Sequence, residues 1–519
     1  MCKPKIRQWL VECVENHQTC QSIELQKQML PKRVLNVADG KVVLTVPDDG
    51  EKCHPITLSH CWGGEKPLAT NKKTLLERKQ GIKWDDLPKT FQDAISITRQ
   101  LGVRYLWIDS LCIIQDDKRD WEEQSSRMGD IYARSYLHIA ASSASNALQG
   151  FLGHRLTPQK FIKESNIEGL QIQESEVKSF RIPTNRTDQH IYVRLSLQPR
   201  ESGAATRWIR NVKDSVPLFK RGWIYQERLL SPRTVHFHAN EMIWTCKEDL
   251  RCECMVLDGY SAENDALKAS KRKLAALEPL SNEQKHRLWR FMIEDYILLD
   301  LGEELDRLPA IAGLARMFSP QAGEHCDYLA GLWKSCLARD LLWSCRPMSR
   351  KSHGPSWSWA SLHWTSDSPR ELEYEPKFEN TIYNQDPRLS IIDASCVIDG
   401  VNQYGAVSRG NIVLEGAICP AEHSPVKNLR LIYDTVEAYA ACVKPNTPEY
   451  TVYYLSIGTF TSESNGQKRN KCRGLILRPS TQVARAFERC GSFSYGYNSM
   501  ITEKNFFLES FKSETIILV

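Results

Sequence analysis

Three short stretches carry side chains that could do chemistry. The apolar run at residues 106–108 stops on a carboxylate, Asp109, with Cys112, Gln115 and Asp116 close behind. The run "PITLSH" at 55–60 stops on Ser59 and His60, followed by Cys61, Trp62, Gly63 and Gly64. The stretch "GWIYQERLLSPR" holds Trp223, Gln226 and Glu227 within about one helical turn. A carboxylate or an imidazole can move protons or position a sugar hydroxyl. His60 therefore reads as a general acid/base or a donor to a sugar or phosphate oxygen, and equally as a structural histidine. Asp109 reads as an orienter of a ribose hydroxyl or of His60, or as the N-cap of the turn that follows. Glu227 reads as a general acid/base, or as the partner of Arg228 or Arg233. Cys112, between Leu111 and Ile113, is expected to pack rather than attack. The glycines after Trp62 allow close backbone approach by a ligand, or simply make a tight turn.

The elements around these residues say how they would be placed. "PITLSH", "VRYLWID" and "LHIAAS" read as strands. Between them, "LPKTFQDAISITRQLG" and "DWEEQSSRMGDIYARSY" have helical apolar stripes, the first through Phe91, Ala94, Ile95, Ile97 and Leu101, with Gly102 at its end. Strand–helix–strand–helix–strand predicts parallel pairing, which points Ser59, His60 and Asp109 out of one sheet edge, where open parallel sheets bind ligands. Gln124 and Arg127 on the second helix are expected to be buried supports rather than reactive groups. An amphipathic helix is expected at the N-terminus on Ile6, Trp9, Leu10 and Cys13. Beyond it, "RVLNVA" and "VVLTV" form a strand pair. "TVHFH" and "MIWTC" predict a hairpin. Residues 156–220 are polar and weakly patterned. "ALKASKRKLAALE" and "LPAIAGLARMF" predict helices, and "NIVLEGAI", "TVYYLSIGTF" and "RGLILRP" predict a β-rich C-terminal portion. In "PSWSWAS", Trp357 and Trp359 alternate as on a strand, and a packed seam is expected there.

The chain is 519 residues long, too many for one core. Four parts are expected: 1–53, an N-terminal helix and strand pair; 54–254, the chemistry-bearing domain, with core blocks 54–155 and 219–246; 255–354, a helical segment; and 355–519, the β-rich portion. No apolar run reaches the roughly 18 residues that span a bilayer. The net charge of +5 is scattered, so no nucleic acid partner is expected. The N-terminus has no apolar block with a cleavage site, so a cytoplasmic protein is expected, a nuclear one being compatible, and its 17 cysteines should be reduced. Two cysteine groups stand out: Cys246, Cys252 and Cys254, and Cys13 and Cys20 with His17. Neither has the paired two-residue spacing of a zinc ribbon, so no metal is expected, although a composite site remains open.

The ordered blocks "LSHCWGG", "LPKTFQDAISITRQLGVRYLWIDSLCIIQDDKRDWEEQSSRMGDIYARS", "RGWIYQERLLSPRTVHF" and "PSWSWAS" resemble the fungal heterokaryon incompatibility (HET) domain family, whose domain would span 54 to about 228. The resemblance implies fungal non-self recognition and cell death signalling as an effector, with a protein partner or self-association. The HET domain is similar to the TIR domain in proposals of distant kinship, which implies a TIR- or flavodoxin-like parallel sheet core. It further implies NAD glycohydrolysis as an alternative activity, with NAD or a nucleotide as substrate and no cofactor required. A biosynthetic enzyme on the same scaffold is a further alternative. The family blocks fall on Ser59, His60, Trp62, Gly63, Asp109, Cys112, Gln115, Asp116, Gly222, Trp223, Gln226 and Glu227. This chain departs from many members at His60 and Cys61, where aromatic or aliphatic residues are common, and at Gln124, where many carry Glu. Those departures leave Glu227 and Asp109 as the acid candidates.

Overall fold

The structure is a computed structural model that describes residues 2–21, 30–48, 51, 53–64, 67–153, 178–183, 188–193, 216–239, 241–253, 255, 266–319, 327–346, 348–350, 353–363, 371–374, 381–424, 429–443, 452–464, 467–498 and 510–519. The chain divides into two compact units, Met1–Ala276 and Leu277–Val519.

The first unit is built on an eight-stranded mixed sheet. Its strands are β1 (Val34–Asn36), β2 (Val43–Thr45), β3 (Ile56–Ser59), β4 (Tyr105–Ile108), β5 (Leu137–Ala140), β8 (Arg233–Phe237), β9 (Met242–Cys246) and β10 (Leu250–Cys252). A separate hairpin, β6 (Lys178–Pro183) with β7 (Asp188–Val193), lies within the weakly patterned stretch, most of which falls outside the described residues. The sheet order is β10-β9-β8-β5-β3-β4-β1-β2. The four central strands, β4, β3, β5 and β8, are mutually parallel: β3, β4 and β5 as the alternation of strands and helices predicted, with β8 added beside β5. The outer pairs β1-β2 and β9-β10 run antiparallel, so the sheet is mixed and not wholly parallel. Every residue of β3, β4, β5 and β8 is buried, the pattern of strands covered on both faces.

The helices of this unit are α1 (Cys2–Asn16), α2 (Gln18–Gln21), α3 (Leu75–Gln80), α4 (Lys89–Gln100), α5 (Asp109–Cys112), α6 (Lys118–Ala133), α7 (Ile224–Leu230) and α8 (Ala266–Ala275). Local chemistry sets their ends. Gly102, at φ +76°, supplies the left-handed residue just past α4. Asp117 starts α6 by accepting from the backbone N–H groups of Arg119 and Asp120. Phe91, Ala94, Ile95 and Ile97 of α4, and Ile6, Trp9, Leu10 and Cys13 of α1, are all buried in the main core cluster.

The second unit mixes helices with strands. Its helices include Asn282–Tyr296, Ala312–Phe318 and Val436–Val443, but short strand pairs such as Tyr328–Leu329 with Leu332–Trp333 interrupt the expected helical segment. The expected β-rich part forms a second eight-stranded sheet. Five of its strands, Tyr453–Ser464, Gln467–Pro479, Phe487–Asn498, Lys512–Leu518 and Val407–Pro420, pair in a closed ring. "PSWSWAS" is not a strand. Trp357 lies in a turn, and Trp359 opens a 3-10 turn at Trp359–Ser361. Ser358 bends the chain there, accepting from the Ala360 N–H and donating to the Ala330 carbonyl at 2.6 Å. Both indoles are nonetheless fully buried. Among the described residues, no helix is long and apolar enough to cross a membrane.

Candidate functional site

Parallel pairing in register, Leu58 beside Ile108, brings Ser59 and Asp109 to the same edge of the sheet. The chain leaves β3 for β4 on one side and later returns to β5 on the other. The carboxyl ends of β3 and β5 therefore flank the point where the strand order reverses, the place where open α/β sheets bind ligands.

Glu227 sits against this edge. It is the fourth residue of α7, which packs on α6, and only 3% of it is exposed. Its carboxylate accepts from the Ser59 hydroxyl and from Tyr132. It is not paired with Arg228 or Arg233. Burial pushes the Glu227 carboxyl up to about 7, and nearby Asp109 adds to this. Arg221, Ser59 and Tyr132 pull the other way without prevailing.

Behind Ser59 the polar contacts continue through the sheet. His138 Nε2 lies 2.6 Å from Ser59 Oγ, and His138 Nδ1 lies 3.3 Å from Thr234 Oγ1. Lys271 Nζ donates to the same threonine at 3.4 Å. Ser59 has one hydroxyl proton. If that proton goes to the Glu227 carboxylate, His138 Nε2 must be the donor to Ser59, and Nδ1 must accept from Thr234. Burial holds His138 well below the usual imidazole range, so it is neutral and has one donor and one acceptor, as the chain of contacts requires. The donors thus run in one direction, from Lys271 through Thr234, His138 and Ser59 to Glu227.

Nearer the surface, Trp62 Nε1 donates to Asp109 Oδ2 at 3.1 Å, and the Asp109 side chain is 17% exposed. Asp109 Oδ1 accepts from the Ser110 N–H at 2.7 Å, so the residue also serves the start of the short helix α5. His60 is fully buried and edge-on to Phe91, with ring centroids 4.9 Å apart. Its Nδ1 is 3.8 Å from Asp109 Oδ1, too far for a hydrogen bond. Desolvation lowers His60 to about 4, so at neutral pH it is not a cation and forms no ion pair there. Among the described residues neither of its ring nitrogens has a hydrogen-bond partner. Arg221 donates to the His60 carbonyl, fixing the chain where it leaves β3.

The remaining residues divide clearly. Gly63 turns the chain at φ +78°, while Gly64 beside it is open. Cys112 is buried, and desolvation pushes its thiol up to about 12, so it packs. Gln115 donates to the carbonyls of Asp109 and Ile113, bracing the loop. Asp116 accepts from the Lys72 N–H at 2.8 Å and is a surface turn residue. Trp223 packs against the main core, and Gln226 is fully buried beside Glu227. Gln124 is buried on α6, but Arg127 is not the buried support expected: it lies on the solvent face of the helix, its side chain 58% exposed and 3.9 Å from Glu123. Tyr132, His138, Arg221 and Thr234 are site residues that sequence reasoning missed. A signal existed for one: a histidine inside a wholly apolar parallel strand must find a polar partner.

Residues 56–227 match the family model described as Heterokaryon incompatibility protein (HET). That stretch of the chain carries a HET domain. The match opens on the first residue of β3 and closes on Glu227, so it spans Ser59, Tyr132, His138 and Glu227 of the polar network, while Thr234 and Lys271 lie beyond it. No curated protein and no solved structure gives a significant match to the chain.

Proposed function

We propose that this chain is a heterokaryon incompatibility-type effector in fungal non-self recognition and cell death signalling, and that its HET domain acts by hydrolysing the glycosidic bond of NAD or a related nucleotide. The parallel strand order β4-β3-β5-β8 supports a flavodoxin- or TIR-like core for this reading. One observation carries the chemistry. A buried carboxyl, Glu227, is held near neutrality at the strand-order reversal, within electrostatic reach of a second carboxylate, Asp109.

In the proposed reaction the C1′–N bond to nicotinamide breaks and its electron pair leaves with nicotinamide. Positive charge develops on the ribose, and a water oxygen bonds to C1′, losing a proton. Glu227, poised near pH 7, takes that proton or faces the developing charge. Asp109 and Trp62, more exposed, hold the ribose and base. The neutral His60 imidazole offers a hydrogen bond to the substrate. At 3% exposure Glu227 meets a substrate only after a local opening.

The test incubates the purified full-length chain with NAD and follows nicotinamide release. Wild type is expected to release nicotinamide, with Glu227→Gln and Asp109→Asn each reducing the rate at least about 100-fold, in the range typical of positioned acid–base groups. Thermal melting of both variants separates lost chemistry from lost fold. Intact NAD with folded wild type, free or self-associated, would eliminate the hydrolase reading. Induced expression in a filamentous fungus tests the effector role separately: growth arrest supports it, and unimpaired growth at confirmed expression overturns it.

A further inference from the structure

One member of the later cysteine group, Cys246, meets the N-terminal group in the fold. Cys13 lies on α1, Cys20 on α2, and His17 between them. Cys246 is the last residue of β9, where the chain turns back toward β10. The ligand-type atoms of Cys13, His17, Cys20 and Cys246 all lie within 4.8 Å of one another. Cys246 Sγ is 3.3 Å from His17 Nδ1 across 229 positions of sequence.

We propose that these four residues bind one structural zinc ion as a closed Cys3His site. Four donors at zinc–ligand distances of 2.0–2.3 Å sit about 3.3–3.8 Å apart in a tetrahedron, so these need to draw in by no more than about 1.5 Å. All three sulfurs belong to free, buried cysteines, and His17 is half-buried, so water is largely excluded from the centre. With four protein ligands there is no open coordination position, which makes the site structural and not catalytic. Zinc would displace three thiol protons to solvent and leave a centre with net charge −1.

The surroundings fit that charge. The Asp249 N–H donates to Cys246 Sγ at 3.1 Å, and the Lys247 N–H bonds Cys20. Amides directed at sulfur are the contacts that a metal-bound thiolate needs. The buried amine of Lys271 stands beside Cys20 and Cys246, and the Arg233 guanidinium, through Nη2, donates to the Cys20 carbonyl at 3.1 Å. The same seam is closed by Trp9 against Trp244, ring centroids 6.1 Å apart, and by the Arg251–Glu12 ion pair. Zinc would therefore pin the N-terminal helices to the hairpin that ends the first sheet.

Metal analysis of the purified full-length chain tests this. Wild type is expected to hold about one zinc per chain, released by a thiol-modifying reagent. Cys20→Ser and Cys246→Ser should lose it, Cys112→Ser and Cys252→Ser should keep it, and His17→Cys should retain it. Cobalt loading should give the intense visible bands of a tetrahedral thiolate site in wild type, with a changed envelope in His17→Cys. Folded wild type carrying less than about 0.1 zinc per chain would overturn the site without reference to any variant. So would a disulfide between two of the three cysteines in the non-reduced protein.

Discussion

In the C-terminal sheet, Arg489 and Asp434 are both completely buried and face each other through two hydrogen bonds, 2.7 and 3.0 Å long. The remaining guanidinium donors reach the carbonyls of Leu341 and Trp343, and the Trp343 ring lies under the charge. In the N-terminal sheet, Glu227 is as deeply buried, yet its direct partners are the hydroxyls of Ser59 and Tyr132. A matched cation stabilises a buried carboxylate in its charged form. Neutral donors do so only in part, and desolvation then wins. One buried acid thus faces a full countercharge, and the other, without one, is left close to the point of protonation. Fixed charge is what a scaffold needs, whereas a titrating group is what a reaction centre needs.

The largest expected effect breaks the matched pair. Arg489→Leu leaves Asp434 buried without its cation and should cost about 3–5 kcal/mol, read by urea denaturation. Replacing both, Arg489→Met with Asp434→Leu, should recover most of that loss, because two apolar side chains remove the desolvation penalty together. A single variant that costs under about 1 kcal/mol would show that the pair is not the scaffold it resembles.

Glu227 should behave in the opposite sense. Its carboxyl is raised from 4.5 to about 7 in the folded chain. The folded state therefore binds the proton more tightly than the unfolded one. This contribution is fully present below about pH 4.5 and is lost as pH rises through about 7, at most about 3 kcal/mol in all. Buried His60, lowered to about 4, acts in reverse, costing stability as pH falls from 6.5 toward 4. Subtracting the stability–pH curve of Glu227→Gln from that of wild type isolates the first effect. A flat difference between pH 4.5 and 7.5 would remove the contrast with Asp434.

Much of the first unit was legible because its strands are short, apolar and bounded by polar residues. The "PITLSH", "VRYLWID" and "LHIAAS" runs became β3, β4 and β5 with the parallel pairing their spacing demanded. The β1-β2 and β8-β9 pairs were visible, whereas β10 was not, and nothing local says that these strands join the same sheet. Of the site, Ser59, Asp109 and Glu227 were legible because each ends or punctuates an apolar run. Tyr132 was absorbed into a helical apolar stripe, and Arg221 into a basic neighbourhood, since their roles depend on approach across more than 70 residues. The tryptophans of "PSWSWAS" misled because alternation is also what a capped turn shows when both indoles are buried. The meeting of Cys20 and Cys246 is a tertiary fact with no local signal.

Glycines sharpen the contrast between the units at smaller scale. Gly474 lies where strands approach closely: an added Cβ would stand 2.0 Å from the Leu455 carbonyl oxygen and 2.5 Å from the Phe493 ring. Backbone cannot yield there without parting the ladder, so Gly474→Ala should cost about 3 kcal/mol, at the upper end of overpacking effects. Gly63, after Trp62, is needed for a different reason. Its φ of +78° is strained for any other residue, and a Cβ would meet Asn146 Cβ at 2.5 Å. Asn146 Cβ moves only with its backbone, and Asn146 Cα stands behind it at 3.3 Å, so the loop itself must yield and Gly63→Ala should cost about 2 kcal/mol. Gly64 has nothing within 4 Å, and Gly64→Ala should fall within about 0.5 kcal/mol of wild type. The three melting curves should rank in that order. If Gly63→Ala and Gly64→Ala melt together, the loop after β3 does not hold Trp62 against Asp109 by its backbone, and the surface half of the site is less fixed than the buried half.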